Sequence, residues 1–176
     1  MIQHRTQLPE LMIRLNLPLI GAELGVAEGY NAADLLAGGL DKLYLVDAWA
    51  TLPGRGDGAF AQEWHDENLK KTMERLAKYG GKAVILRGLT TEMAKEVEDE
   101  SLGLVYLDAS HWYADVMNDL NAWFPKLVKG GICAGHDFLA TQYQVFQAVK
   151  DFTHGSYEIH TIRENKPEDA GFIFIK

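Results

Sequence analysis

The stretch Leu19-Ile20-Gly21-Ala22-Glu23-Leu24-Gly25-Val26-Ala27-Glu28-Gly29-Tyr30 decides the fold of this chain. An apolar run of strand length, Leu19 to Leu24, passes through a glycine-bracketed turn into a helical pattern from Tyr30 to Ala37. Strand, tight turn and helix in that order open a βαβ unit. Gly25 and Gly29 sit where backbone must approach a ligand with no Cβ intervening, and N–H groups at the helix start can bind a carboxylate or phosphate. The same glycines also suit an ordinary tight βα turn. The spacing departs from the dinucleotide fingerprint G-x-G-x-x-G, because position 27 is Ala and position 23 is Glu. A carboxylate at Glu23 repels a pyrophosphate and attracts the ammonium or sulfonium of an amino-acid-bearing cofactor.

Outward from this unit the alternation repeats. Strands are expected at Leu43 to Val46, Ala83 to Leu86 and Leu104 to Leu107, with a fifth beyond the turn Lys129-Gly130-Gly131. Helices are expected at Glu63 to Tyr79 (Trp64, Met73 and Leu76 facing the core), Thr91 to Val97, a segment from Tyr113 that Pro125 ends or kinks, and Gln142 to Phe152. Two late strands, Tyr157 to Ile162 and Gly171 to Ile175, enclose the turn-rich Asn165-Lys166-Pro167-Glu168-Asp169, a separation that suits a hairpin. The fold class is therefore α/β: a doubly wound, seven-stranded, mostly parallel sheet with an antiparallel final strand, in one domain spanning 1–176. The long irregular segment from Ala48 to Ala59 reads equally as a lid or as a mobile loop.

With 17 Lys and Arg against 25 Asp and Glu, the chain carries a formal charge of −8. Such a surface repels phosphate backbones and anionic lipid, so neither nucleic acid nor membrane is the expected partner. The N-terminus lacks a signal-peptide apolar core and no stretch has the length of a membrane span, so a cytoplasmic location is expected. The single cysteine, Cys133, lies in an apolar run and reads as a buried small hydrophobe.

In an open α/β sheet ligands bind beyond the carboxyl ends of the strands, and polar residues collect there. Strand two ends in Asp47, 24 residues after Glu23; its carboxylate can accept from both hydroxyls of an adenosine ribose, whether in a nicotinamide or an S-adenosylmethionine enzyme. Strand three ends in Arg87-Gly88, strand four in Asp108 with His111 three residues on, and strand five in His136-Asp137. Asp108 and Asp137 end neighbouring strands, so their carboxylates can converge, and hard oxygen ligands suit Mg²⁺. An imidazole, titrating near pH ~6.5, is suited to take a proton from a hydroxyl, although His111 could instead cap a helix or pack on Trp112. Trp49, Trp112, Tyr113 and Phe138 flank these ends as pocket walls or as core. The other histidines, His4, His65, His154 and His160, carry no motif and read as surface groups.

The blocks Glu23 to Gly29, Leu45-Val46-Asp47-Ala48-Trp49, Val105 to Tyr113 and Trp123 to Phe138, in that order, resemble class I S-adenosylmethionine-dependent methyltransferases. The likeness is to a small bacterial subgroup related to catechol- and macrolide-sugar-type O-methyltransferases. The resemblance implies that Glu23, Gly25 and Gly29 line the methionine part of the cofactor, that Asp47 holds the ribose, and that Gly88 lies beside the adenine. Thr90 or Thr91 would cap the helix after Gly88, and Asp108 would sit under the transferring methyl. It further implies a base at His111 and a divalent cation, Mg²⁺ or another, on Asp108, His136 and Asp137. His136 stands where relatives carry an acid or amide, and imidazole prefers softer metals. The expected partner is a small hydroxylated methyl acceptor, and the acceptor pocket is expected to be open or completed by a second subunit, as in a homodimer. The competing readings are a nicotinamide-dependent oxidoreductase and a cofactor-binding module without chemistry.

Overall fold

The computed structural model describes residues 2–53, 59–139, 144–163 and 170–176. Its strands are β1 (Ile20–Leu24), β2 (Lys42–Asp47), β3 (Ala83–Arg87), β4 (Leu102–Leu107), β5 (Leu127–Gly135), β6 (His160–Arg163) and β7 (Ala170–Ile175). They form one sheet in the order β3-β2-β1-β4-β5-β7-β6. The pairs from β3 through β5 are parallel, whereas β7 runs antiparallel to both β5 and β6. The strand order reverses between β1 and β4, which places the ligand crevice at their carboxyl ends.

Helices α1 (Leu8–Arg14), α2 (Tyr30–Ala37), α3 (Gln62–Leu76), α4 (Thr90–Met93), α5 (Tyr113–Trp123) and α6 (Val145–Thr153) cover the sheet. Successive strand residues point to opposite faces. Leu43, Leu45, Leu104 and Tyr106 pack with Leu8, Met12, Leu35 and Leu36 of α1 and α2, while Ala22, Leu24, Val46, Val105 and Leu107 pack with Val116, Leu120, Trp123, Ala148 and Val149 of α5 and α6. Both faces are thus buried, as a parallel sheet requires. Cys133 lies buried in the second of these cores, as expected.

Four local expectations are corrected. Lys129-Gly130-Gly131 lies inside β5 rather than before it: the β4 pairing passes from Leu102↔Leu127 to Leu104↔Ile132, so residues bulge out between the two registers. Gly130, at φ +83°, allows that bulge, and its N–H is taken by the Lys176 carbonyl. In α3, Trp64 and Met73 are 40% and 55% exposed, and the buried face is His65, Asn68, Thr72 and Leu76. His65 is therefore not a surface group. Neither Thr90 nor Thr91 caps α4: Leu89 is the N-cap, and the Thr90 hydroxyl pairs with Asp119 of α5. The 165–169 turn and residues 54–58 of the 48–59 segment lie outside the described residues. The ends of that segment are tied together, with Gln62 Nε2 donating to the Trp49 carbonyl at 3.0 Å and Thr51 Oγ1 to the Phe60 carbonyl at 3.0 Å.

Candidate active site

The turn after β1 is built for close approach. Gly25 has φ +84°, and its N–H donates to the Val46 carbonyl of β2 at 2.8 Å while Asp108 N–H donates to the Leu24 carbonyl at 2.7 Å. Gly29 takes φ +74° as the N-cap of α2. Ala27 and Trp49 also hold left-handed backbone, at φ 48° and 39°, strain that the surrounding contacts must sustain. Those contacts converge on Asp47. One carboxylate oxygen accepts from Val26 N and Ala27 N, each at 2.9 Å, and the other accepts from Trp49 N at 2.8 Å. Trp49 Nε1 and Thr72 Oγ1 then both donate to the Ala27 carbonyl, at 2.9 and 2.8 Å. Asp47 thus shapes the glycine turn at the end of the strand where a ribose acid was expected. A carboxylate has about four lone-pair positions, so three amides leave room for a hydroxyl.

Glu23 is only 1% exposed beneath this turn; Asn31 Nδ2 donates to its Oε1 at 3.2 Å. Its Oε2 and the Asn31 Oδ1 are buried with no partner among the described residues. Burial pushes the Glu23 carboxyl well above the usual range, opposed by the Asn31 hydrogen bond and reinforced by the nearby Asp108 charge. An acid whose folded pKa is raised binds its proton more tightly in the native state, so its contribution to stability is full below the unfolded pKa and is lost as pH rises through the folded value. Glu23→Gln should therefore raise the melting temperature at pH 8 relative to wild type, and the difference should shrink toward pH 4. Equal differences at both pH values in a thermal scan would contradict this.

At the β4 and β5 ends four side chains meet. His111 Nε2 lies 3.5 Å from Asp108 Oδ1, and its Nδ1 lies 3.4 Å from Asp137 Oδ2. His136 Nδ1 approaches Asp137 Oδ1 at 3.1 Å and Asp108 Oδ1 at 3.9 Å. Burial alone would raise the Asp137 carboxyl, but the His136 hydrogen bond and the charges of His136 and His111 outweigh it and hold it below its ordinary range. Ser110, His111, Asp119 and His136 supply the polar lining of a small cavity whose apolar wall includes Leu107, Val116 and Val145. The strand ends bring Asp108, His111, His136 and Asp137 together as the sequence implied. Trp49 and Phe138 belong to the core, while Trp112 and Tyr113 stay at the surface. Gly88 ends the β3 edge of the crevice, its N–H on the Asp47 carbonyl at 2.9 Å.

The expected cation on Asp108, His136 and Asp137 is not supported. Mg²⁺ wants oxygen donors, whereas here two imidazole rings face the two carboxylates. Among the described residues no three such side chains are disposed to hold a metal ion. S-adenosylmethionine fits better: the buried Glu23 and Asn31 oxygens need donors, and an amino-acid ammonium is one. Sequence reading missed Asn31, Asn68, Thr72 and Asp119. For the α3 pair a signal existed, because 65, 68, 72 and 76 recur at helical spacing, but a polar stripe reads as a solvent face.

A doubly wound sheet with β7 inserted antiparallel beside β5, a glycine turn at the switch point and an acid at the end of β2 defines the class I methyltransferase fold. The chain belongs to the methyltransferase domain family, whose pattern matches residues 22–138, and the nicotinamide oxidoreductase reading falls with that finding. The chain is similar in fold to the O-methyltransferase NovP, with TM-score 0.72 and 19% identity over 98% of this chain and 77% of that one. It is also similar to a putative rRNA methylase from Clostridium thermocellum (TM-score 0.69, 12% identity, 100% and 98% covered). A third likeness is to an O-methyltransferase from Bacillus cereus in complex with SAH (TM-score 0.66, 12% identity, 98% and 80% covered). A curated relative, the uncharacterized protein y4gI of Sinorhizobium fredii, is 30% identical over 120 residues, 65% of this chain. The chain spans 12% of that relative's length. No helix among the described residues is long and apolar enough to cross a membrane.

Asp47→Ala removes the acceptor of three amides. With hydrogen bonds to charged groups at about 1.5–3 kcal/mol each, S-adenosylhomocysteine should bind about a hundredfold more weakly by calorimetry. Unchanged affinity would remove Asp47 from the cofactor site.

Proposed function

We propose that the chain transfers a methyl group from S-adenosylmethionine to a hydroxyl of a small molecule. The observation that carries this reading is His111, set between Asp108 and Asp137, with the Asp108 N–H bonded to the Leu24 carbonyl at the start of the glycine turn. S-adenosylmethionine supplies an electrophilic methyl. The rest is asked of the protein's own side chains. Glu23, Asn31 and Asp47 orient the cofactor, and the acceptor hydroxyl is brought to His111 at the carboxyl ends of β4 and β5. His111 takes the hydroxyl proton as the oxygen gains the methyl. The carboxylates within 3.5 Å stabilise the imidazolium that forms.

The rRNA methylase likeness is one of fold alone. A formal charge of −8 favours a small acceptor over a polyanion. The test is incubation with methyl-labelled S-adenosylmethionine and either a panel of small phenols, sugars and hydroxy acids or total RNA. Label in a small-molecule ether supports the proposal. Label in RNA, or on nitrogen or carbon of the small molecules, overturns it.

A further inference from the structure

Two residues of the buried polar face of α3, His65 and Asn68, have no role in the site as drawn so far. His65 and Asn68 are 6% and 2% exposed, yet His65 Nε2 and Asn68 Nδ2 have no hydrogen-bond partner among the described residues. A buried donor left unpaired costs the fold more than an average hydrogen bond returns, so such groups ask for a reason. Their position supplies one. Thr72, on the same face, donates to the Ala27 carbonyl, and Gln62, at the start of the helix, donates to the Trp49 carbonyl. His65 and Asn68 lie between these two anchors. Ala27 and Trp49 are also residues whose amides hold the two oxygens of Asp47. The stretch of α3 that carries the two orphan donors is therefore anchored at both ends to residues that hold the Asp47 carboxylate.

We infer that Asn68 and His65 form a second wall of the cofactor site and donate to the ribose hydroxyl oxygens, opposite Asp47. A hydroxyl both gives and accepts. Asp47 takes its proton, and its lone pairs then face an amide N–H and an imidazole N–H. The pairing explains why donors stand here: the floor of the site, Glu23 and Asn31, offers unpartnered oxygens, and α3 offers nitrogens. The imidazole tautomer required carries its proton on Nε2, the atom that lacks a partner.

The inference rests on the cofactor reading above, and one experiment separates the two. Wild type, Asn68→Ala and His65→Phe, which keeps a ring and loses the nitrogens, are titrated by calorimetry with S-adenosylhomocysteine and with its 2′,3′-dideoxy analogue. Apo melting temperatures are recorded beside them. Each substitution should weaken S-adenosylhomocysteine about tenfold, the size of one hydrogen bond lost from a polar ligand, and change binding of the dideoxy analogue less than about twofold. Equal weakening for both ligands would mean that α3 acts on packing alone and would overturn the inference, as would wild-type affinity in both variants. If wild type binds neither ligand, the cofactor reading itself fails and this inference goes with it.

Discussion

Gly25→Ala should leave the protein largely unfolded at 37 °C. A Cβ at this position would stand 2.6 Å from the Ala109 Cα and closer still to the Asp108 carbonyl oxygen. These neighbours are backbone atoms at the end of β4, so no side chain can swing aside. Moving them would break the Asp108 N–H bond to Leu24, which joins the two strands at the switch point. The left-handed φ of +84° adds a further penalty for any residue with a side chain. Overpacking against fixed atoms together with an αL cost of about 1–2 kcal/mol comes to several kcal/mol, a large share of the roughly 5–15 kcal/mol that holds a domain together. Denaturant melts would show it as a collapsed midpoint. Gly39 also has positive φ, but a Cβ there would meet nothing within 4 Å, so it is the control and should lose much less on the same change. A Gly25→Ala variant as stable as Gly39→Ala would disprove the close approach.

The second large effect is on turnover. His111→Ala should lower methyl transfer about a thousandfold, within the usual range for a general base, while S-adenosylhomocysteine still binds within about threefold of wild type. His111 faces Asp108 and Asp137 at the ends of β4 and β5. Its backbone carbonyl, which holds the Gln144 N–H at the start of α6, is kept in the variant. Single-turnover rates against the acceptor found in the labelling experiment would measure this. Normal turnover in the variant would remove the base, and a parallel loss of cofactor affinity would make His111 a structural residue.

How much of this was legible beforehand differs from element to element. The α2 boundaries, Tyr30 and Ala37, were readable to the residue, because Gly29 ends the turn and Gly38 follows the helix. The β1, β2 and β4 runs were readable because both faces of a parallel strand are buried and the whole run is apolar. Position along those strands then placed Asp47, Asp108, His111, His136 and Asp137 at one edge without any knowledge of contacts. Helix α3 was not readable in the same way. Its buried residues are His65, Asn68, Thr72 and Leu76, so hydrophobic periodicity selected Trp64 and Met73, on the wrong side. Nor could the bulge at Gly130 be seen, since Lys-Gly-Gly is an equally good turn.

By itself, then, the sequence determined the alternation of strands and helices, the open doubly wound sheet and the set of residues at its carboxyl edge. These follow from local propensity and pattern, which act over a few neighbours. Only the tertiary structure decided what those residues do to one another. It set His111 between two carboxylates from different strands, gave Asp47 three amides to hold, and buried the polar stripe of α3. It also weighed against a magnesium ion, because the imidazole nitrogens arrive where oxygens were needed. Such outcomes depend on distances between groups far apart in the chain, and only the packed sheet and its helices set those distances.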